Sequence, residues 1–269
     1  MKWLYEMFPA EGKDAHLSYG YSISNTLFSE RSKYQQVDII ENPVYGRALF
    51  LDKLMMTTEK DEFIYHELLS HIPALMIKAP ERALIIGGGD GGIARELCKY
   101  SSMKEIIVAE IDEMVIEASR KYIPSIACGF DDPRVKIQIG DGAEFVSKQE
   151  KGSFDLVLID STEPFGPGVT LYQEKFYAEC CRVLKDNGQL SAQGLAPFIH
   201  QESQKLMYET LKKVFKWVKP YMGVIPTYPT SLWLFFHAAK AEQDVLKEGA
   251  GQIPTNTKPK PKFWLPTTQ

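Results

Sequence analysis

The chain has 269 residues, of which 44% are hydrophobic and 25% charged, the composition of an ordinary globular protein that can bury a sizeable core. Its 31 lysines and arginines are outnumbered by 35 aspartates and glutamates, and the net charge of -4 provides no basic excess for binding nucleic acid. We therefore exclude nucleic-acid partners and expect small-molecule chemistry.

The amino-terminal sequence argues against secretion, because Glu6 and Pro9 lie inside what would have to be the uninterrupted apolar core of a signal peptide. The longest run without charged residues, 220–239, is long enough to cross a bilayer. Prolines break its first half, so we interpret the run as buried strand and loop, with no membrane segment.

Residues 1–58 contain short β-rich segments separated by turn residues, and they predict a small antiparallel sheet that forms an amino-terminal domain. Gln35 lies in this region, with a side chain that could point at a ligand. From Thr57 the pattern becomes helical, with Thr58 as the expected N-cap. Tyr65 and His66 leave this helix about 100° apart, so both line one cleft only if the helix end faces it.

The segment IIGGGDGGIARE, residues 85–96, reads as a strand, a glycine loop and a helix. Such a turn presents free N–H groups and a positive helix end to a nucleotide-like ligand. Glu110 ends the next predicted strand, 18 residues beyond Gly92, close to the spacing of an acid that binds ribose hydroxyls. The combination predicts a nucleoside site. Asp90, inside the loop, would repel phosphates and attract a cation.

Two further predicted strands also end in acids. Asp141 and Gly142 follow the strand VKIQIG, where the pair either bonds an adenine edge or forms a plain turn. Asp160 ends the apolar strand FDLVLID, and the Pro/Gly-rich segment after it suits a loop that closes over a site. Strands alternate with helices from residue 83, which predicts an α/β fold with a mainly parallel sheet over a second domain, 59–269.

We expect five acids to converge on one cleft with few cations to pair them: Asp90, Glu110, Asp141, Asp160 and Glu163. This charge disfavours NAD and ATP, whose phosphates would be repelled, and favours a cationic S-adenosyl compound. S-Adenosylmethionine carries a carboxylate that Asp90 would oppose, whereas the decarboxylated form ends in an ammonium that Asp90 would hold. The decarboxylated form is therefore the expected co-substrate.

A chemistry follows from these groups. An amine nucleophile, with a pKa near the 10.4 or so of lysine, must lose a proton before it attacks a carbon next to sulfonium. Asp160 is the candidate general base, and Tyr65 is expected to orient the amine. Crowding by Glu163 and exclusion of water on loop closure are expected to raise the pKa of Asp160 toward this task.

Six motifs in order, MTTEKDEFIYHE, IGGGDGG, AEID, GDG, DSTEPFGPG and IPTYP, make the chain resemble the spermidine synthases over residues 30 to 240. The resemblance to these polyamine aminopropyltransferases implies a Rossmann-like methyltransferase-type domain behind the small β domain. It further implies aminopropyl transfer from decarboxylated S-adenosylmethionine to the diamine putrescine, which gives spermidine and methylthioadenosine. A cytoplasmic homodimer or homotetramer without a metal or prosthetic group is implied as well.

The resemblance also implies roles for individual residues. Those expected to bind the nucleoside or sulfonium part are Gln35, Glu110, Asp141, Gly142 and Pro167. Those expected to hold the aminopropyl and amine groups are His66 and Asp90. Asp160 is the implied proton acceptor, and the implied substrate-binding wall consists of Tyr65, Ser161, Thr162, Glu163, Tyr228 and Gln193.

The chain departs from the family pattern around the acceptor amine. Met56 stands where many members have glutamine, and Glu163 stands where many have aspartate. Both changes bear on amine length, so agmatine, cadaverine and spermidine stay open as acceptors beside putrescine. Two other functions also stay open: a small-molecule methyltransferase that uses S-adenosylmethionine, and an idle relative that senses nucleoside or polyamine.

Overall fold

The computed structural model of the protein describes residues 2–8, 17–162 and 170–243. The first two strands, β1 (Lys2–Phe8) and β2 (Leu17–Ile23), pair as an antiparallel ribbon. The next four form an antiparallel sheet in chain order: β3 (Asn25–Arg31), β4 (Gln36–Asn42), β5 (Gly46–Leu51) and β6 (Leu54–Thr58). The division into domains at residue 58 stays a prediction.

The rest of the described chain is built on seven strands: β7 (Arg82–Gly87), β8 (Glu105–Glu110), β9 (Val135–Ile139), β10 (Phe154–Asp160), β11 (Leu184–Gln193), β12 (Trp217–Val224) and β13 (Leu232–Ala239). They form one sheet in the order β12-β13-β11-β10-β7-β8-β9. The strands from β11 to β9 run parallel, whereas β13 is antiparallel to both neighbours. The predicted α/β fold, with its mainly parallel sheet behind a small antiparallel region, is confirmed.

Helices cover both faces of this sheet: α1 (Glu62–Leu75), α2 (Gly92–Cys98), α3 (Glu113–Tyr122), α4 (Pro124–Ala127), α5 (Gly142–Ser147), α6 (Glu174–Val183) and α7 (Gln201–Val214). On β10, Leu158 packs into the core with α1 and α2, and Val157 packs into the core with α6 and α7. Because both faces of β10 are buried, its sequence is a continuous apolar run rather than an alternating one. The strand therefore carries Asp160 at a rigid, central position.

One predicted boundary is wrong, because α1 begins at Glu62 and Thr58 is not its N-cap. The Thr58 hydroxyl instead donates to Asp61 Oδ1 at 2.7 Å. The backbone N–H of Thr227 donates to the other oxygen of Asp61 at 2.8 Å, so this carboxylate ties the start of α1 to the loop between β12 and β13.

The uncharged run 220–239 forms the end of β12, a loop and β13, as predicted. Pro220 is accommodated in β12, which is an edge strand of the sheet, where one side of the backbone needs no partner. Over 2–8, 17–162 and 170–243, no helix has the length and apolarity required to span a membrane.

Candidate active site

A cleft of about 160 Å³ opens where β7, β8 and β10 end, and strands β5 and β6 and the start of α1 form its opposite wall. It is lined by twelve of the predicted site residues: Gln35, Tyr65, His66, Asp90, Glu110, Asp141, Gly142, Asp160, Ser161, Thr162, Gln193 and Tyr228. Glu163 and Pro167 lie outside the described residues. The structure thus brings the described residues to one place, while their individual roles stay predictions.

The glycine loop can approach β10 because it carries no side chains at the closest points. Gly87 has φ +80°, and a Cβ there would lie 2.0 Å from the carbonyl oxygen of Asp160. The N–H of Gly88 donates to that same carbonyl at 3.1 Å. The loop is therefore fastened to the end of β10, which places Asp90 and Asp160 in the same cleft.

Asp90 is paired, and the expectation of few pairing cations is wrong for this residue. His66 Nε2 lies 3.2 Å from Asp90 Oδ2, and the backbone N–H of Gly92 donates to Asp90 Oδ1 at 2.8 Å. Burial acts to raise the pKa of Asp90, but His66 and the Gly92 N–H lower it overall. Asp90 is therefore ionised, with a histidine already beside one of its two oxygens.

Asp160 accepts a 2.6 Å hydrogen bond from the Tyr65 hydroxyl, which α1 directs into the cleft. Burial and the charge of Asp90 raise the pKa of Asp160 to about 6, against the opposing effects of His66 and Tyr65. The pKa is thus raised in the direction expected. Burial and Asp90 supply the shift, whereas the expected contributor Glu163 lies outside the described part of the chain.

Glu110 ends β8 and Asp141 follows the neighbouring strand β9, and the two acids lie in different environments. Burial raises the pKa of Glu110 to about 7, although its carboxylate accepts the Asp112 N–H at 2.9 Å. Asp141 is exposed and accepts the N–H groups of Ala143 and Glu144 at 2.7 and 3.1 Å, which makes it the N-cap of α5. A ligand hydroxyl that donated to Glu110 would stabilise its ionised form and lower its pKa.

Gln35 reaches the cleft from the loop before β4. Its side-chain amide donates to Asp112 Oδ2 at 3.0 Å, and the Ser32 hydroxyl donates to the same oxygen at 2.7 Å. Asp112 also caps α3 by accepting the Met114 N–H. This one carboxylate therefore attaches the small sheet to the start of α3, beside the end of β8.

Aromatic rings form the end of the cleft where the predicted amine wall lies. Tyr228 packs against Tyr65 and Trp233, with ring centroids 5.8 and 4.5 Å apart, and its hydroxyl donates to the Met56 carbonyl. Trp233 and Met56 also line the cleft. Gln193 faces it from β11, but its amide donates to the Ser161 carbonyl and to the Tyr172 hydroxyl, so it supports the wall.

The side chains of His66, Asp90 and Asp160 present ligand atoms within 4.8 Å of one another. Both ring nitrogens of His66 face carboxylate oxygens, those of Glu62 at 2.6 Å and Asp90 at 3.2 Å. A ring engaged in this way offers no lone pair to a metal ion. We interpret the cluster as an ion-pair network, and the absence of a metal from the reaction stays a prediction.

Sequence reasoning missed several residues of this site. Asp112 stands in the AEID motif but carries no predicted role, and Trp233 lies in none of the six motifs. The contacts of both residues depend on how distant segments pack. Glu62, which contacts His66, lies four residues before it on α1, and this spacing alone could have revealed the pair. Arg95, which binds Glu62 from α2, could not be placed before the packing of the two helices was known.

Two family models cover most of the chain. One, described as a spermine/spermidine synthase domain, matches residues 62–248. The other, described as a spermidine synthase tetramerisation domain, matches residues 7–59.

Curated proteins with similar sequences and solved structures with similar folds were also found. A polyamine aminopropyltransferase from Thermoanaerobacter sp. (strain X514) is 42% identical over 87% of this chain and 84% of its own length. One from Thermotoga petrophila is 46% identical over 81% and 74% of the two chains. The crystal structure of a spermidine synthase in complex with the transition state analogue AdoDATO superposes with a TM-score of 0.92 at 39% identity, over 98% of this chain and 88% of that one. The spermidine synthase from Thermotoga maritima gives 0.91 at 38% identity, with the same coverage.

Proposed function

Because the chain belongs to the spermine/spermidine synthase family and is an enzyme of the polyamine aminopropyltransferase class, we propose that it transfers aminopropyl from decarboxylated S-adenosylmethionine to putrescine. The observation that carries this proposal is the 2.6 Å hydrogen bond between Tyr65 and Asp160 beside the ionised Asp90. A base and a cation-binding acid thus face one cleft. Spermidine and methylthioadenosine are the proposed products.

The two substrates occupy different parts of the cleft. Glu110 binds the ribose hydroxyls, Asp141 and Gly142 face the adenine, and Gln35 closes the nucleoside end. Asp90 and His66 hold the aminopropyl group, with its ammonium on the Asp90 carboxylate. The methylene chain of putrescine lies along Met56, Tyr228 and Trp233, which are apolar or aromatic surfaces of the cleft.

In the reaction, a neutral amine nitrogen of putrescine attacks the carbon next to the sulfonium. The carbon–sulfur bond breaks, its electron pair returns to sulfur, and methylthioadenosine leaves uncharged. Asp160 accepts the proton that the protonated amine loses before this attack, while Tyr65 orients the nucleophile, and the new secondary amine leaves as its ammonium form. Because the pKa of Asp160 is raised to about 6, it lies closer to the pKa of an ordinary amine, about 10.4. Burial of the amine lowers the pKa of the amine and so reduces the difference further.

The direct test supplies the purified protein with decarboxylated S-adenosylmethionine and one amine at a time: putrescine, cadaverine, agmatine or spermidine. Mass spectrometry would detect methylthioadenosine and identify the amine product. We expect the highest kcat/KM with putrescine. Release of methylthioadenosine with another amine would change the acceptor only, whereas no release with any amine would contradict the reaction.

The second candidate function is methyl transfer from S-adenosylmethionine. Calorimetry with the decarboxylated and the carboxylated ligand distinguishes it from aminopropyl transfer. Asp90 faces the position of the ligand's terminal group, so we expect tighter binding of the decarboxylated ligand than of S-adenosylmethionine. A preference for the carboxylated ligand, with S-adenosylhomocysteine as product, would favour methyl transfer instead.

For the assembly, we propose a cytoplasmic homo-oligomer, with a homotetramer favoured over a homodimer. The tetramerisation-domain match over residues 7–59 supports this choice. Trp3, Tyr5 and Met7 support it further, because they form one face of β1 and are 49%, 56% and 59% exposed in the single chain. Light scattering would measure the mass, and a monomer at micromolar concentration would contradict the proposal.

A further inference from the structure

A chain of alternating charges leads from the cleft into the protein behind it. Asp90 Oδ2 lies 3.2 Å from His66 Nε2, and His66 Nδ1 lies 2.6 Å from Glu62 Oε2. Glu62 in turn accepts a bidentate pair of hydrogen bonds from the Arg95 guanidinium, from Nη1 at 2.8 Å and from Nη2 at 2.7 Å. Arg95 belongs to α2 and does not line the cleft, so it does not contact a ligand there, and its hydrogen-bonded connection to the cleft runs through Glu62 and His66.

The geometry fixes the protonation of His66. A neutral imidazole has one donor and one acceptor nitrogen, but here each nitrogen faces a carboxylate oxygen. With both carboxylates ionised, both nitrogens must carry protons. Burial acts to lower the pKa of His66, but Asp90 and Glu62 raise it well above its usual range. The Tyr65 ring, perpendicular to the imidazole with centroids 5.4 Å apart, and the backbone of Gly92 also pack against His66.

The position of the imidazole is fixed as tightly as its charge. A Cβ on Gly92 would lie 2.3 Å from two atoms of the ring, so His66 packs directly on the backbone at the start of α2. Arg95 is held from its other side by Glu96, whose carboxylate accepts Nε at 3.0 Å. The network therefore extends from a buried anchor on α2 to the carboxylate in the cleft.

Arg95 also balances the buried charge. Glu62 and His66 are 4% and 2% exposed, so a carboxylate there without a cation would be costly. Burial acts to raise the pKa of Glu62, but His66 and Arg95 lower it overall. Without Arg95, Glu62 and Asp90 would have to share the single positive charge of His66.

We propose that Arg95 is a positioning residue for the ligand's ammonium: through Glu62 it holds His66 doubly protonated and donating to Asp90, which fixes the Asp90 carboxylate for that ammonium. This inference rests on the proposed function. We expect different effects on two ligands. Decarboxylated S-adenosylmethionine carries the aminopropyl group that reaches Asp90, whereas methylthioadenosine has the nucleoside but lacks that group. Loss of Arg95 should weaken the ligand that reaches Asp90 and spare the ligand that does not.

The test measures, by calorimetry, the dissociation constants of decarboxylated S-adenosylmethionine and of methylthioadenosine. Four full-length proteins are compared: the unaltered chain, Arg95→Met, Arg95→Lys and the control Arg134→Met. Arg134 also combines an ion pair, to Asp132 at 2.7 Å, with bonds to backbone carbonyls, but lies outside the network. In Arg95→Met we expect Kd for decarboxylated S-adenosylmethionine to rise about tenfold, as for one lost hydrogen bond to a charged group, and Kd for methylthioadenosine to stay within about twofold. Arg95→Lys should recover part of the loss, and the control should change neither constant.

A second measurement uses the unaltered protein and needs no variant to fold. Nitrogen-15 NMR should show both nitrogens of His66 protonated at pH 8, where an ordinary histidine of pKa about 6.5 is neutral. A neutral ring, unchanged affinities in Arg95→Met, or an equal loss for both ligands would each overturn the inference. If the unaltered protein binds methylthioadenosine but not the decarboxylated ligand, the proposed function fails whatever the variants show.

Discussion

The hydroxyl of Tyr65 donates to Asp160 Oδ1 at 2.6 Å, which joins the first turn of α1 to the end of β10 across 95 positions of the chain. Tyr65 is buried and Asp160 half-buried among cleft residues, and burial with the charge of Asp160 raises the pKa of Tyr65 well above its usual range. Tyr65 therefore stays a donor at any working pH. Asp160 is the partner that changes its protonation, which makes it the member of the pair suited to accept a proton.

Replacing Asp160 with asparagine should abolish most of the activity. The amide keeps the size of the side chain and can still accept from Tyr65, but it cannot take a proton from the amine. We expect kcat to fall by about 10²–10⁴, the usual effect of losing a general base. Methylthioadenosine affinity, measured by calorimetry on the same preparation, should change little. An Asn variant with near-normal kcat would remove Asp160 from the proposed role.

Replacing Tyr65 with phenylalanine should shift the pH dependence of kcat/KM to higher pH. The Tyr65 hydrogen bond lowers the pKa of Asp160, so its loss raises that pKa further above about 6. Asp160 then ionises at higher pH, and the rising limb of log kcat/KM against pH should move to higher pH. We also expect kcat to fall about tenfold from misorientation of the amine. A limb that stays in place would show that Asp160 does not govern it.

Replacing Asp90 with asparagine should move the same limb in the opposite direction. The negative charge of Asp90 raises the pKa of Asp160, so its removal should lower that pKa and shift the limb to lower pH. The variant should also bind decarboxylated S-adenosylmethionine more weakly and discriminate less against the carboxylated ligand. Kinetics over pH 5–9 and calorimetry with both ligands test the two effects separately. Unaltered discrimination would contradict ammonium recognition by Asp90.

The sequence reveals the acids of the cleft because parallel strands deliver their carboxyl ends to one edge of a sheet. Glu110 and Asp160 are the last residues of two such strands, so their meeting needs only the strand pattern and its order. The state of Asp90 is different, because it depends on α1 approaching the glycine loop so closely that His66 lies on the backbone of Gly92. That distance is set by helix packing, which residue spacing does not encode. Thr58 shows the same limit, since α1 begins at Glu62 with Asp61 in the N-cap position, and the Thr58 hydroxyl donates to the Asp61 side chain instead of capping the helix.

His237 predicts a pH dependence of stability that has no connection with catalysis. Its side chain is 3% exposed on β13, Nε2 donates to Gln189 Oε1 at 2.8 Å, and burial lowers its pKa to about 3. In the unfolded chain His237 becomes protonated below about pH 6.5, whereas in the folded chain it stays neutral down to about pH 3. Between about pH 3 and 6.5 the unfolded state therefore binds more protons than the folded state.

The free energy of unfolding should therefore fall as pH decreases, by about 1.4 kcal/mol for each pH unit below 6.5 from this residue alone. Replacing His237 with glutamine removes the titrating group and keeps a hydrogen-bonding side chain next to Gln189. Between pH 7.5 and pH 5.0, urea unfolding of the parent should lose about 2 kcal/mol more than unfolding of His237→Gln. Because both chains share all other titrating groups, the difference isolates His237, and equal losses would show that folding does not lower its pKa.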